Sequence, residues 1–176
     1  MNKLLLVGLV LLAVSATVIA DEPQRTDDEK KEGTKATFLI TGLHCPPCTR
    51  TVETSLNRAK GIRTIKVDWK TKNARVEFDE AVLPAQKVAQ LIAATPHMMG
   101  GNMHYGGWLA LKIPDLKDDA TAKQVKDVLS KVEGVKQVAI YPKQHSVGIA
   151  FAIKGELTSS QLIDVLTKEG IKAENL

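Results

Sequence analysis

Hydrophobic positions along the chain switch repeatedly between a period of two and a period near four. Ala36, Phe38 and Ile40 lie two apart and predict a strand over 36–40. Val52, Leu56 and Ala59, with polar residues between them, predict a helix from Pro47 to about Lys60 that Gly61 stops. Pro47 is tolerable in its first turn, where the missing N–H has no helical partner. Residues 62–69 and 74–78 alternate again around the turn Thr71-Lys72-Asn73, which makes a hairpin. Pro84 opens a second helix with Val88, Leu91 and Ile92 on one face. The order is strand, helix, strand, strand, helix.

Residues 96–107 break this regularity with four glycines, and then the first pattern returns. A strand over 109–113 is followed by a helix over 120–132, with Asp118 or Asp119 as its N-cap. A hairpin of 135–141 and 147–153 turns at Pro142-Lys143-Gln144-His145. A helix over 159–168 ends at Gly170, and 171–173 adds a short last strand. The two halves superpose at an offset of 73 residues, the distance from Gly61 to Gly134. At that offset Phe38, Ile40, Val52, Leu56, Ile65, Val76 and Phe78 fall on Leu111, Ile113, Val125, Leu129, Val138, Ile149 and Phe151, all apolar. The chain is therefore expected to be α+β, with two copies of one βαββα(β) unit.

The repeat leaves the start of the chain outside it. Lys3, the apolar run Leu4–Val14 and the small residues Ser15–Ala20 form a leader, with cleavage expected after Ala20. An uncleaved anchor is the alternative reading of the same apolar run. Residues 21–33 are a charged tether without apolar periodicity. The expected domains are 34–96 and 108–176, joined by a Gly/Met/His-rich linker over 97–107. No later segment is apolar enough to span a membrane, so the mature protein is expected to be exported, to a periplasm or the extracellular space.

Composition changes this picture little. Of 176 residues, 44% are hydrophobic but only 4% aromatic, so the core must be aliphatic. The formal charge of +4 is spread among acids, with no basic block and no interleaved aromatics to mark a nucleic-acid surface. No Ser/His/Asp grouping, phosphate loop or paired-carboxylate motif points to an enzyme.

The candidate chemistry sits in Gly42-Leu43-His44-Cys45-Pro46-Pro47-Cys48-Thr49, which holds both cysteines of the chain where the first strand meets the first helix. Free N–H groups and the helix dipole favour thiolates there. A disulfide across so short a ring removes little chain entropy, so the pair is expected to serve reactivity or metal. Two thiolates select soft ions: Cu(I) first, with Hg(II) and Zn(II) as other candidates, although structural zinc wants four ligands. His44 reads as an exposed loop residue beside them. His97, Met98, Met99, Met103 and His104 could form a second, softer site, or else a linker whose methionines cover the core edge. In the second copy the offset puts Asp118 and Thr121 in place of Cys45 and Cys48. Asp115, Asp118 and Asp119 read as helix caps and solvated charges rather than a calcium loop. Thiol–disulfide exchange by the CPPC pair is the competing reading.

Gly42-Leu43-His44-Cys45-x-x-Cys48, with Val52-Glu53, Leu56, Gly61-Ile62 and Ile65-x-Val67, resembles the heavy-metal-associated domain of copper chaperones, metal-pumping ATPases and the periplasmic mercury-binding protein. The resemblance covers 34–95 with the motif and 108–176 without it. It implies two tandem ferredoxin-like βαββαβ sandwiches, each an antiparallel sheet with two helices on one face. It also implies Cys45 and Cys48 as ligands, Leu43 as a packing residue in place of methionine, and a metal-transporting membrane protein or another carrier as partner. The tyrosine or lysine that the family places near the metal after the second helix is expected near Pro96-His97, where His97 or a methionine takes its place. If the leader is removed as read, the intact mass of the exported protein corresponds to a chain beginning at Asp21; a mass retaining residues 1–20 would support the anchor instead.

Overall fold

The computed structural model describes residues 32–176, and the leader and most of the tether lie outside the described residues. Strand β1 (Thr34–Thr41) buries Ala36, Phe38 and Ile40, the alternation that predicted it. Helix α1 (Pro46–Asn57) buries Cys48, Val52 and Leu56, one residue per turn on a single face. The hairpin β2 (Ile62–Asp68) and β3 (Asn73–Phe78) leads to α2 (Ala85–Ala94). Strand β4 (Gly106–Lys112), α3 (Asp119–Ser130), the hairpin β5 (Val135–Tyr141) and β6 (Ser146–Phe151), and α4 (Ser159–Lys168) repeat the order. Of the two caps expected, Asp118 caps α3 by accepting the Thr121 N–H at 2.7 Å, and Asp119 lies in the first turn.

The α+β class and the antiparallel sheet are as expected, but the two copies are not separate sandwiches. One sheet runs in the order β2-β3-β1-β4-β6-β5, with a seventh, short strand off this path against β4. Strand β4 pairs with β1 through Gly106–Ala110 and with β6 through Leu109–Lys112. It thus closes the first unit and opens the second, and residues 106 and 107 of the expected linker belong to the sheet. Sharing a strand removes two exposed edges, each a row of unpaired N–H and C=O groups. Glycine permits the fit: a Cβ on Gly107 would lie 2.6 Å from the Ala89 carbonyl oxygen of α2. Because β4 starts opposite Thr41 and ends before the Asp118 loop, the corresponding loops of the two copies lie at opposite ends of the sheet.

The last strand also differs from expectation. At the end of α4 the Gly170 N–H donates to Thr167 and the Ile171 N–H to Leu166, with Gly170 at φ +76°. This closure consumes Ile171, whose side chain is buried, and so β7 forms at Glu174–Asn175 against Leu111 and Lys112 of β4.

Buried polar contacts lock the two units together. The Gln86 side chain on α2 donates to the carbonyls of Ala152 and Lys154, at 2.9 and 3.0 Å, and accepts the Leu157 N–H at 3.0 Å. Gln90 donates to the carbonyls of Ala152 and Ile153. The Glu80 carboxylate accepts from the Ser159 N–H and from the Ser159 and Ser160 hydroxyls at the start of α4. That start already carries a capping box of Thr158 and Gln161. Gln86→Leu leaves these partners unpaired and should cost about 3 kcal/mol. Urea unfolding should remain one transition, coincident by circular dichroism and tryptophan fluorescence; a separate early transition of one half would contradict the locked arrangement.

Candidate metal centre

The thiol pair stands where β1 hands over to α1. Gly42 makes the turn at φ +80°, and a Cβ there would lie 2.5 Å from the His104 carbonyl oxygen, so residues 104–105 rest directly on it. Leu43 is buried, which is the packing role expected of it. Cys45 is the N-cap of α1 in extended conformation, and Pro46 and Pro47 fill the next two positions. Cys48 follows, its N–H donating to the Cys45 carbonyl at 3.1 Å. N-cap and N3 side chains are neighbours at a helix start, so the two thiols lie side by side there. Both are free thiols, Cys48 buried and Cys45 half-buried.

The pair is electrostatically asymmetric. Burial pushes the Cys48 thiol up, but the neighbouring Cys45 thiol, Tyr105 hydroxyl and backbone N–H groups of His44 and Cys45 outweigh it and leave the group lowered. Cys45 is raised, chiefly because it donates its proton toward Cys48. The sequence argument located the donors inside the helix. Two of its first N–H groups are missing at Pro46 and Pro47, and the His44 and Cys45 amides that precede them act instead.

Tyr105 is the residue that sequence reasoning missed. It is buried just before β4, beside Cys48, where His97 or a methionine was expected to stand. Burial first, then the neighbouring Cys48 sulfur and its charge, push the phenol up to about 12, so it stays protonated at neutral pH. Its hydroxyl makes no contact of full hydrogen-bond geometry and remains an orphaned buried polar group. An unfilled donor next to two sulfurs suits a site where negative charge gathers. Counting residues after α2 could not find it, because the loop of 97–104 intervenes; the signal was an aromatic immediately before the second copy's first strand.

His97 does not act as a free ligand. Its Nδ1 accepts the Met99 N–H at 3.1 Å, which leaves Nε2–H to donate to the Gly42 carbonyl at 2.9 Å. Its ring stacks on Tyr105 with centroids 4.5 Å apart and meets the His44 ring edge-on at 6.1 Å. Both nitrogens are engaged, so its role is to brace Tyr105 and the turn. Met98, Met99 and His104 are exposed, and Met103 is half-buried. The expected five-residue His/Met cluster is thereby divided. Among the described residues, no group of three or more His, Cys, Asp or Glu residues is placed to hold a metal ion. That applies to the region of Asp115, Asp118 and Asp119 as well as to a four-ligand zinc site.

Fold and site together define a class: small α+β modules that carry a close pair of thiols at the junction of the first strand and first helix. The model of the heavy-metal-associated domain matches residues 37–97. The copper chaperone CopZ of Enterococcus hirae is 34% identical over 58 residues, which are 33% of this chain and 84% of that protein. The copper-transporting ATPase HMA5 of Oryza sativa subsp. japonica is 24% identical over 145 residues, 74% of this chain but only 13% of the ATPase. The crystal structure of oxidized MerP from Ralstonia metallidurans CH34 is 25% identical with a TM-score of 0.37, over 43% of this chain and 94% of that one. The chain belongs to the heavy-metal-associated domain family.

The lowered Cys48 pKa carries a linkage consequence. Its stabilisation is fully present above the unfolded thiol value, 9.0, and is lost as pH falls through the folded value. Tyr105→Phe removes one donor, so it should raise the Cys48 titration midpoint, read from ultraviolet thiolate absorbance. It should also shrink the rise in the urea midpoint between neutral pH and pH 9. An unchanged Cys48 midpoint would show that the phenol does not act on the sulfur.

Proposed function

We propose that the protein binds one soft metal ion, Cu(I) foremost, through Cys45 and Cys48, and passes it on by ligand exchange. The observation that carries this reading is the sulfur pair at the start of α1, a buried Cys48 beside a half-buried Cys45. A protonated thiol must give up its proton as its sulfur bonds the ion, so affinity weakens as pH falls. Two sulfurs satisfy Cu(I) or Hg(II) and leave the exposed side open to a third thiolate from a partner. Zn(II) is less well served by two ligands. The Tyr105 hydroxyl, free of other partners, is placed to offset the charge of the thiolates.

The similarity to a copper chaperone and to part of a copper-transporting ATPase supports a role in metal delivery, with a metal-transporting membrane protein or a second carrier as partner. The leader read from residues 1–20 supports an exported site of action. The cysteine-free copy, sharing β4 with the first, serves as a rigid brace. Thiol–disulfide exchange is the weaker reading. A redox catalyst needs its accessible cysteine to be the nucleophilic thiolate, whereas here the accessible Cys45 holds the proton.

Anaerobic titration of the reduced protein with Cu(I) against a competing chelator should show one tight equivalent that Cys45→Ser/Cys48→Ser abolishes. Equal binding by the variant would end the thiolate-pair reading.

A further inference from the structure

The loop between α2 and β4 contains an arrangement that the thiol site does not use. Met98 and Met99 are 57% and 64% exposed. Burying a methionine side chain is worth about 1.5–3 kcal/mol, so two adjacent exposed ones forgo a substantial stabilisation. They do not cover a core edge. They are also not left on a loose tether. Pro96 and His104 bridge the base of the loop. Inside it, Gly100 donates to the His97 carbonyl and Met103 to the Gly100 carbonyl, while the Met99 N–H is held by the His97 ring. The backbone is pinned and the thioethers project.

The pinned position is beside the turn that leads into the thiols. The His97 ring that holds the Met99 N–H donates to the Gly42 carbonyl at 2.9 Å and stacks on Tyr105 with centroids 4.5 Å apart. Gly42 is three residues before Cys45. A methionine side chain, with three rotatable bonds beyond Cα, can swing toward that turn.

We propose that Met98 and Met99 form a thioether entry site for soft monovalent ions, which receives the ion at the surface and hands it to Cys45 and Cys48. This rests on the metal-binding reading of the thiol pair. Thioethers are soft, neutral donors that need no deprotonation, and they hold Cu(I) or Ag(I) less strongly than thiolate does. Weak, open and adjacent are the properties of an entry site. In the transfer the bonds from ion to thioether sulfur break as bonds to the Cys48 and Cys45 sulfurs form. The Cys45 proton leaves to solvent, and no electron moves. His97 takes no part as a ligand, since both its nitrogens are occupied.

The test uses Ag(I), a soft ion that is inert to redox change, and the full chain labelled at the methionine methyls. In Cys45→Ser/Cys48→Ser, Ag(I) should shift the Met98 and Met99 methyl resonances, assigned through single Met→Leu variants, and leave Met103 in place. Unmoved Met98 and Met99 resonances at excess Ag(I) would overturn the entry site. With the thiols intact, Met98→Leu/Met99→Leu should slow metal uptake from a chelator about tenfold. An unchanged uptake rate would overturn the relay. Failure of the thiol reading shows separately, as equal Ag(I) affinity in the wild type and the double-serine variant.

Discussion

The pairing of β4 on both of its edges is the constraint on which the rest of this structure depends. One edge binds β1 and the other β6, so a single strand completes the first unit and begins the second. The same pairing sets Gly106 opposite Thr41 and thereby brings Tyr105, the residue before it, to the turn that leads into the thiol pair. Glycines at 42 and 107 make these approaches possible, one where the His104 carbonyl rests on the turn and one where β4 lies against α2. A side chain at either position would separate the layers that the site needs in register.

Around this frame the site is built from neutral groups that favour one anion. Cys48 is buried, and burial alone would keep it protonated. The Cys45 thiol, the Tyr105 phenol and two loop amides outweigh that effect and lower the group. None of these donors is a cation, and the helix contributes less than its position suggests because two prolines occupy its first turn. His97 secures the arrangement by stacking on Tyr105 and bonding to Gly42, using both ring nitrogens to do so. The result is a pair with one buried sulfur and one half-buried sulfur.

The second unit keeps the core and lacks the thiols. Since β4 runs away from the thiol turn, the loop that corresponds to it in the second unit lies at the far end of the sheet. The second unit therefore cannot add ligands from that loop to the first. Gln86, Gln90 and Glu80 reach from the first unit into the 152–160 segment and tie the two together.

Sequence alone determined most of the elements and the thiol pair, because each is written in local periodicity or spacing. Phe38, Val52 and Leu56 with Leu111, Val125 and Leu129 mark faces of one buried cluster, and Cys45-Pro46-Pro47-Cys48 marks the strand–helix junction. Asp118 was legible as a cap for the same reason: its hydrogen bond spans three residues. Tertiary structure decided what depends on residues far apart. The fusion of two sandwiches into one sheet follows from β4 having two edges to pair, a choice that no local pattern encodes. Tyr105 meets Cys48, and His97 meets Gly42, only because that pairing draws the α2–β4 loop back across 55 residues of chain. The methionines of one tract separate into exposed and half-buried members because the loop's pinned backbone, not its composition, sets which way each side chain faces.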